Sequence, residues 1–259
     1  APSLGNSVDV SRLGRRLRRG VEGMTRRDKR LWTLAPVVRP NWRHAHDRAL
    51  NRIAFRTQAS RALDQFPGAI AWVYSPYAVY LLDLLDVRGV VYHMVDDLAE
   101  VPGADREAIL EAERRLLARA DCVFCTERSL YDRAARVNPA ARFLPNVADY
   151  RHFSEPKETT DPRIHDLRAI PSPRLVFSGN IAPHKVDLRL LADLAERRPK
   201  WNFVLIGPVW EGAARQPGMD RLERAGNVRL LGKVDYEDLP AFLDRKSTRL
   251  NSSHTHLSR

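Results

Sequence analysis

Two stretches of the chain hold residues whose types and spacing can do chemistry. In residues 174–208 a short apolar run, Leu175-Val176-Phe177, ends in Ser178-Gly179. Lys185 follows, just ahead of Val186, Leu190, Leu191 and Leu194 at helical spacing. A continuous apolar run, Phe203-Val204-Leu205-Ile206, then has the pattern of a strand covered on both faces, and it stops at Gly207-Pro208. The stretch reads as a complete βαβ unit with parallel strands. Ligands of an open parallel sheet bind beyond the carboxyl ends of its strands, which singles out the loops at 178–185 and 207–212. Lys185 and the free backbone N–H groups of a helix start can together hold a phosphate. An exposed lysine ahead of a helix is the equally ordinary alternative.

The second stretch is the acidic pair Asp96-Asp97, which follows an apolar run, residues 89–95, that includes His93. A carboxylate at a strand's carboxyl edge can orient a hydroxyl, accept a proton or take part in a divalent-metal site. Asp97 can instead cap the segment after it. Other metal-like patterns are weaker. His44 and His46 are two apart at the start of an expected helix, where they do not share a face, and the H-E-x-x-H spacing is missing. Cys122 and Cys125 form a C-x-x-C, but they lie in an apparent strand, where positions three apart point to opposite faces. Two core thiols fit that placement better than a redox pair or half a zinc site.

The elements that must position these residues alternate. Residues 31–38 read as an edge strand broken by Pro36, and a helix is expected over about 43–63. Runs at 69–74 and 89–95, separated by a short helix at 77–85, repeat the βαβ pattern. A helix over 105–119 carries Ile109, Ala112 and Leu116 on one face and a Glu111–Arg115 pair on another. Residues 122–125 give a further strand, Ser129 is expected to cap the next helix, and Phe143-Leu144 closes the domain. Residues 156–173 are polar and proline-bearing and read as an interdomain connector. A short helix at 219–224 and a strand at 228–231 come after the opening unit. Sustained β-α alternation makes the class α/β.

The chain has 259 residues, is 44% hydrophobic and carries a formal charge of +11. It is long enough for one large or two modest cores, and no apolar run approaches membrane-helix length. No signal peptide opens it, so a cytoplasmic site of action is expected. Residues 11–30 are arginine-rich, with Leu13, Leu17, Val21 and Met24 on one helical stripe. Such a segment can contact an anionic membrane peripherally, although a solvated charged segment is the commoner case. Residues 244–259 hold almost nothing that can face a core, and they contribute three of the eleven net positive charges. They resemble the in-frame translation of a sequencing adapter and are set aside as a non-native tail.

Several blocks, in order, resemble the GT-B glycosyltransferases of family-4-like type, especially those building bacterial cell-surface polysaccharides. Val90-Val91-Tyr92-His93-Met94-Val95-Asp96-Asp97 resembles a V-Y-D-x-x-D-D block with His93 in place of the first Asp. Residues 120–131 resemble A-D-x-V-x-x-x-S-x-x-L-Y, and Leu144-Pro145-Asn146-Val147-Ala148-Asp149 with Phe153 resembles L-P-N-G-V-D-x-x-x-F without its glycine. Gly179, Lys185-Val186-Asp187, residues 205–208 and residues 227–232 resemble the start of a nucleotide-sugar domain. The resemblance implies two Rossmann-like domains and transfer of a sugar from a nucleoside-diphosphate donor to a saccharide or lipid-linked acceptor in the interdomain cleft. It implies no cofactor and no metal, because fixed cations and backbone N–H groups can stabilise a leaving diphosphate. Lys185 would do so with the Gly179-Asn180 turn, Gly207, next to Pro208 in the same binding loop, would let the chain pass close to the nucleotide, and His93, Asp96 and Asp97 would face the sugar or acceptor.

The expected layout is a partial acceptor-side domain over 1–155, a connector over 156–173, a partial nucleotide-sugar domain over 174–243 and the tail. The opening strand and glycine loop of the first domain, and the glutamate-bearing donor helix of the second, are not found. Both domains are therefore expected to be incomplete, and the polypeptide inactive and marginally stable. Two other classes stay open: a single-domain metal-dependent sugar-nucleotide enzyme using Asp96 and Asp97, and a basic nucleic-acid-binding α/β protein. No helix-turn-helix, zinc or single-strand-binding motif supports nucleic acid as a partner.

Overall fold

The computed structural model describes residues 24–39, 41–101, 103–154, 158–183, 185–210, 218–243 and 248–249. The chain divides into two compact units, Ala1–Asn146 and Val147–Arg259.

The first unit opens with an antiparallel pair, β1 (Thr25–Asp28) and β2 (Leu31–Thr33). Arg26 and Arg27 thus lie in a strand rather than in the expected basic helical segment; of that segment's apolar stripe Met24 is a bend, and Leu13, Leu17 and Val21 lie outside the described residues. Of the strand expected over 31–38, only the first three residues pair. Beyond them the chain is tied to α1 (Ala45–Gln65) by polar side chains. Gln58 bonds both the N–H and the C=O of Val37 (2.8 and 3.1 Å), and buried Asn51 does the same for Arg39 (2.7 and 3.1 Å). Two side-chain amides thereby satisfy backbone groups that would otherwise need a neighbouring strand.

A four-stranded parallel sheet follows, in the order β3 (Ala69–Val73), β4 (Val87–Met94), β5 (Cys122–Cys125), β6 (Ala141–Phe143). The helix expected at 77–85 is instead two 3-10 turns, Pro76–Tyr80 and Leu82–Leu84. Asp105 caps α2 (Arg106–Arg119) through the Ala108 N–H, and Glu111 pairs with Arg115 at 2.7 Å as its spacing predicts. The α3 helix (Arg128–Ala135) begins one residue before Ser129, so Ser129 lies inside the first turn and donates to Glu127 Oε2 at 3.3 Å rather than capping. One sheet face forms a core with Tyr92, Met94, Leu116, Val123 and Leu130. The other carries Ile70, Trp72 and Tyr74, each about half exposed, beside His93 and Phe124.

In the second unit α4 (Tyr150–Ser154) and α5 (Arg163–Ala169) precede a parallel sheet. Its strands are β7 (Arg174–Ser178), β8 (Asn202–Ile206) and β9 (Val228–Gly232), with α6 (Leu188–Arg197), α7 (Met219–Arg224) and α8 (Leu239–Leu243) between and after them. Both faces are covered, as the unbroken apolar run of β8 implies. Leu175, Phe177, Phe203 and Leu205 pack with α6 and α7, while Val176, Val204 and Ile206 pack with Ile164, Leu167 and Phe242. The second of these clusters corrects the reading of 156–173 as a connector. Ile164 and Leu167, one turn apart, put α5 into the core. Of the residues read as a non-native tail, Thr248–Arg249 pair in parallel with β7 as β10, and the others from residue 244 on lie outside the described residues.

Candidate functional site

The carboxyl edge of β7 and β8 is built by two loops that run side by side. Gly179 donates to Ile206 O (2.9 Å), Ile181 donates to Pro208 O (3.0 Å) and Trp210 donates to Ile181 O (3.0 Å), so the parallel pairing continues past the sheet as an Ile181–Val209 bridge. Gly207 has φ +139°, and a Cβ built on it would lie 1.9 Å from the Gly179 carbonyl oxygen. The neighbouring loop therefore accounts for this glycine, and no nucleotide is needed to explain it. Gly179, Asn180, Gly207 and Pro208 thus lie at one edge, as their sequence positions predict.

Lys185 ends a turn in which its N–H bonds Ala182 O (2.8 Å). It is exposed, and among the described residues no acidic side chain pairs with it. The start of α6 differs from expectation, because the Asp187 carboxylate accepts from the N–H groups of Arg189 (3.1 Å) and Leu190 (3.0 Å). An anion at Lys185 would meet a helix start already capped by a carboxylate. Asp187→Ala is expected to cost about 1 kcal/mol of stability, the usual worth of an N-cap, measurable by urea denaturation.

At the carboxyl edge of β4 the three predicted residues have different surroundings. His93 is half-buried against Trp72, Tyr74 and Phe124, and its Nδ1 accepts from Trp72 Nε1 at 3.4 Å. Asp96 is exposed, with no side-chain partner among the described residues. Asp97 has a structural environment. It caps the next 3-10 turn through Ala99 N–H (3.3 Å) and accepts from Arg133 Nη1 (2.7 Å). Burial alone would raise its pKa, but the Arg133 hydrogen bond and charge override that and hold the carboxyl below the usual range.

Arg133 also faces Glu113 (Nε–Oε1 3.0 Å), a carboxylate whose side chain is only 4% exposed, with the Tyr92 hydroxyl 3.5 Å away. Burial pushes the Glu113 pKa up, opposed by Arg133, and burial also raises that of Tyr92. Sequence reasoning missed this network, although a signal exists: Glu113 sits on the apolar stripe between Ile109 and Leu116.

The remaining candidate ligands do not assemble. Burial pushes the Cys125 thiol up to about 11, and its neighbour is Met94 Sδ at 3.8 Å, as befits a core thiol. The His44 and His46 rings do stack, 5.4 Å apart, because His44 is the extended residue before α1 and escapes the helical rule. Among the described residues no group of three or more His, Cys, Asp or Glu side chains is placed to hold a metal, so Asp96 and Asp97 gain no further ligand.

Both parallel units have the Rossmann-like build of GT-B glycosyltransferases. Solved structures of matching fold include Anabaena HepE with UDP and glucose (TM-score 0.56, 13% identity, 74% of this chain and 55% of that one). Sucrose-phosphate synthase of Thermosynechococcus elongatus gives a TM-score of 0.60 at 16% identity, over 94% of this chain and 69% of that one. WaaG, a glycosyltransferase involved in lipopolysaccharide biosynthesis, gives 0.52 at 13% identity, over 82% and 60%. In sequence the chain is 28% identical over 143 residues to Bacillus subtilis TuaH, named as a teichuronic acid biosynthesis glycosyltransferase; the match covers 54% of this chain and 35% of TuaH. The chain is thus similar to glycosyltransferases in both sequence and fold, while covering about a third of TuaH and about half of HepE. No protein-family model matches it.

Proposed function

We propose that this protein is a glycosyltransferase that moves a sugar from a nucleoside-diphosphate-sugar to a saccharide or lipid-linked acceptor, in cell-surface polysaccharide or glycoconjugate synthesis. The observation that carries the reading is the carboxyl edge of β7 and β8, where two interlocked loops bring Gly179, Asn180 and Pro208 together and leave Lys185 exposed without an acidic partner among the described residues. Sequence similarity to TuaH supports the reaction class, and the UDP and UDP-glucose complexes of HepE make UDP the first nucleotide to test.

The second unit is the donor side. Its Lys185 ammonium stabilises the leaving diphosphate electrostatically, with the Asn180 backbone N–H of the Gly179-Asn180 turn assisting, since the Gly179 N–H is already bonded to Ile206 O. The first unit is the acceptor side, where Asp96 orients a hydroxyl or accepts its proton and His93 lines the approach. Asp97 positions the Asp96 turn through Arg133 and Ala99. No cofactor or metal enters the reading. The work is assigned to the cytoplasm, with peripheral contact to the membrane's inner face open to the basic amino-terminal segment. No described helix is long and apolar enough to cross a membrane.

Calorimetric titration of the chain with UDP tests the donor reading. Lys185→Ala is expected to weaken binding by roughly ten-fold, the worth of one charge-assisted phosphate contact. Unchanged affinity would remove Lys185 from the site, and no UDP, ADP or GDP binding at all would count against the donor reading itself.

A further inference from the structure

A cavity of about 450 Å³ opens on the first unit beside α1, and none of its residues enters the reaction proposed above. Arg48, Arg52, Tyr80, Asp83 and Arg119 line it, together with small apolar side chains. Its volume is that of a small-molecule pocket, and its charge is unbalanced: three guanidiniums face one carboxylate.

Two of the arginines are already fixed in place. Arg48 donates through Nη1 to Trp42 O (3.0 Å), and its guanidinium lies 5.0 Å from the centre of the Tyr80 ring. Arg52, one turn on, donates through Nη1 to Tyr80 O (2.6 Å) and pairs with Asp83 Oδ2 (2.8 Å). Each tether occupies a single nitrogen, so the Nε and Nη2 donors of both have no partner among the described residues. Arg119, in the last turn of α2, has no ion-pair or hydrogen-bond partner there at all. Asp83 is matched by Arg52, which leaves the charges of Arg48 and Arg119 uncompensated. Arg115 lies 5.9 Å from the Tyr80 ring centre but is paired with Glu111 (2.7 Å) and adds no free charge.

We infer that this cavity binds a phosphate ester, its anionic oxygens taken by the free donors of Arg48, Arg52 and Arg119 and its carbon portion resting on Ala45, Ala49 and Val79. Planar guanidinium forks match phosphate oxygens in pairs, and forks held by backbone carbonyls lose little freedom on binding. A soluble ester and a phospholipid headgroup present the same group, so the test distinguishes them.

The 259-residue chain is titrated at low salt with glycerol 3-phosphate, and separately sedimented with phosphatidylcholine vesicles with and without phosphatidylglycerol. At least one phosphate probe is expected to bind. Arg119→Ala, an exposed change, should weaken that binding roughly ten-fold, as expected for one lost charge-assisted partner. Arg229→Ala, on β9 of the second unit, should leave it unchanged. Binding of the ester alone supports a soluble ligand, and binding of phosphatidylglycerol vesicles alone supports a headgroup. The inference is overturned if neither probe binds, if Arg119→Ala has no effect, or if both substitutions weaken binding equally, which would reduce it to general attraction to a basic chain.

Discussion

Gly207→Ala is expected to cost the second unit about 3–5 kcal/mol, combining strain at an unfavourable φ with an overpacked contact. The added Cβ would stand 1.9 Å from Gly179 O and 2.8 Å from Gly179 C. Neither loop can give way alone, because Gly179 N–H is bonded to Ile206 O and Ile181 and Trp210 continue the pairing beyond it. Relief would have to break that ladder. Gly232→Ala separates the two contributions: its φ is +69° and nothing lies within 4 Å of the added atom. It should lose only the backbone part, about 1–2 kcal/mol. Urea denaturation followed by tryptophan emission reads both variants. Equal losses would mean that loop contact does not govern the edge.

Arg133→Met is expected to cost the first unit about 3–5 kcal/mol near neutral pH, the range for breaking a buried ion pair from one side. It strands the Glu113 carboxylate, 4% exposed, and removes the partner of Asp97. The cost should depend on pH, with a definite sign. Glu113 has a raised pKa in the folded chain, so its ionisation withdraws stability as pH rises above the unfolded value. Losing Arg133 raises that pKa further and deepens the withdrawal. Asp97 has a lowered pKa, so its contribution is present above the unfolded value and is lost as pH falls through the folded one. Losing Arg133 removes much of that contribution too. Both effects make wild type and variant converge on acidification and separate toward neutrality. Urea midpoints at pH 4 and pH 7 check this, and a gap independent of pH would contradict it. Adding Glu113→Leu to Arg133→Met should recover part of the loss, since the stranded charge is then gone.

The fold was legible wherever one periodicity dominated. The run at 203–206 is apolar at every position because sheet side chains alternate between two buried faces, and that alone announces a central parallel strand. The α5 helix was hidden by its length: seven residues offer only Ile164 and Leu167 to the core, and the proline and charges around them dominate the local composition. Residues 77–85 have a helical apolar content, yet they close as two 3-10 turns, the first opened by Pro76.

The candidate site was legible in part. Strand ends located Lys185, Gly179 and Gly207, because a parallel sheet places its loops by rule. What each residue does there was not in the spacing. Gly207 answers to the Gly179 carbonyl, and only the three-dimensional approach of two loops reveals it. Asp97 looks like half of an acidic pair, yet Arg133, distant in sequence, commits it to the scaffold. Asp187 stands before the first apolar helical position, a capping signal that can be read from the sequence.

In the proposed function the carboxyl edge of β7 and β8 receives a nucleoside diphosphate. Hydrogen exchange of the 259-residue chain with and without UDP tests it directly, because peptides report where the nucleotide sits. Slowed exchange is expected in peptides spanning 178–187 and 206–210, diminished in Lys185→Ala, with peptides of the first unit's sheet unchanged. Protection confined to the first unit, or slowed exchange at 178–187 and 206–210 that Lys185→Ala leaves intact, would contradict it.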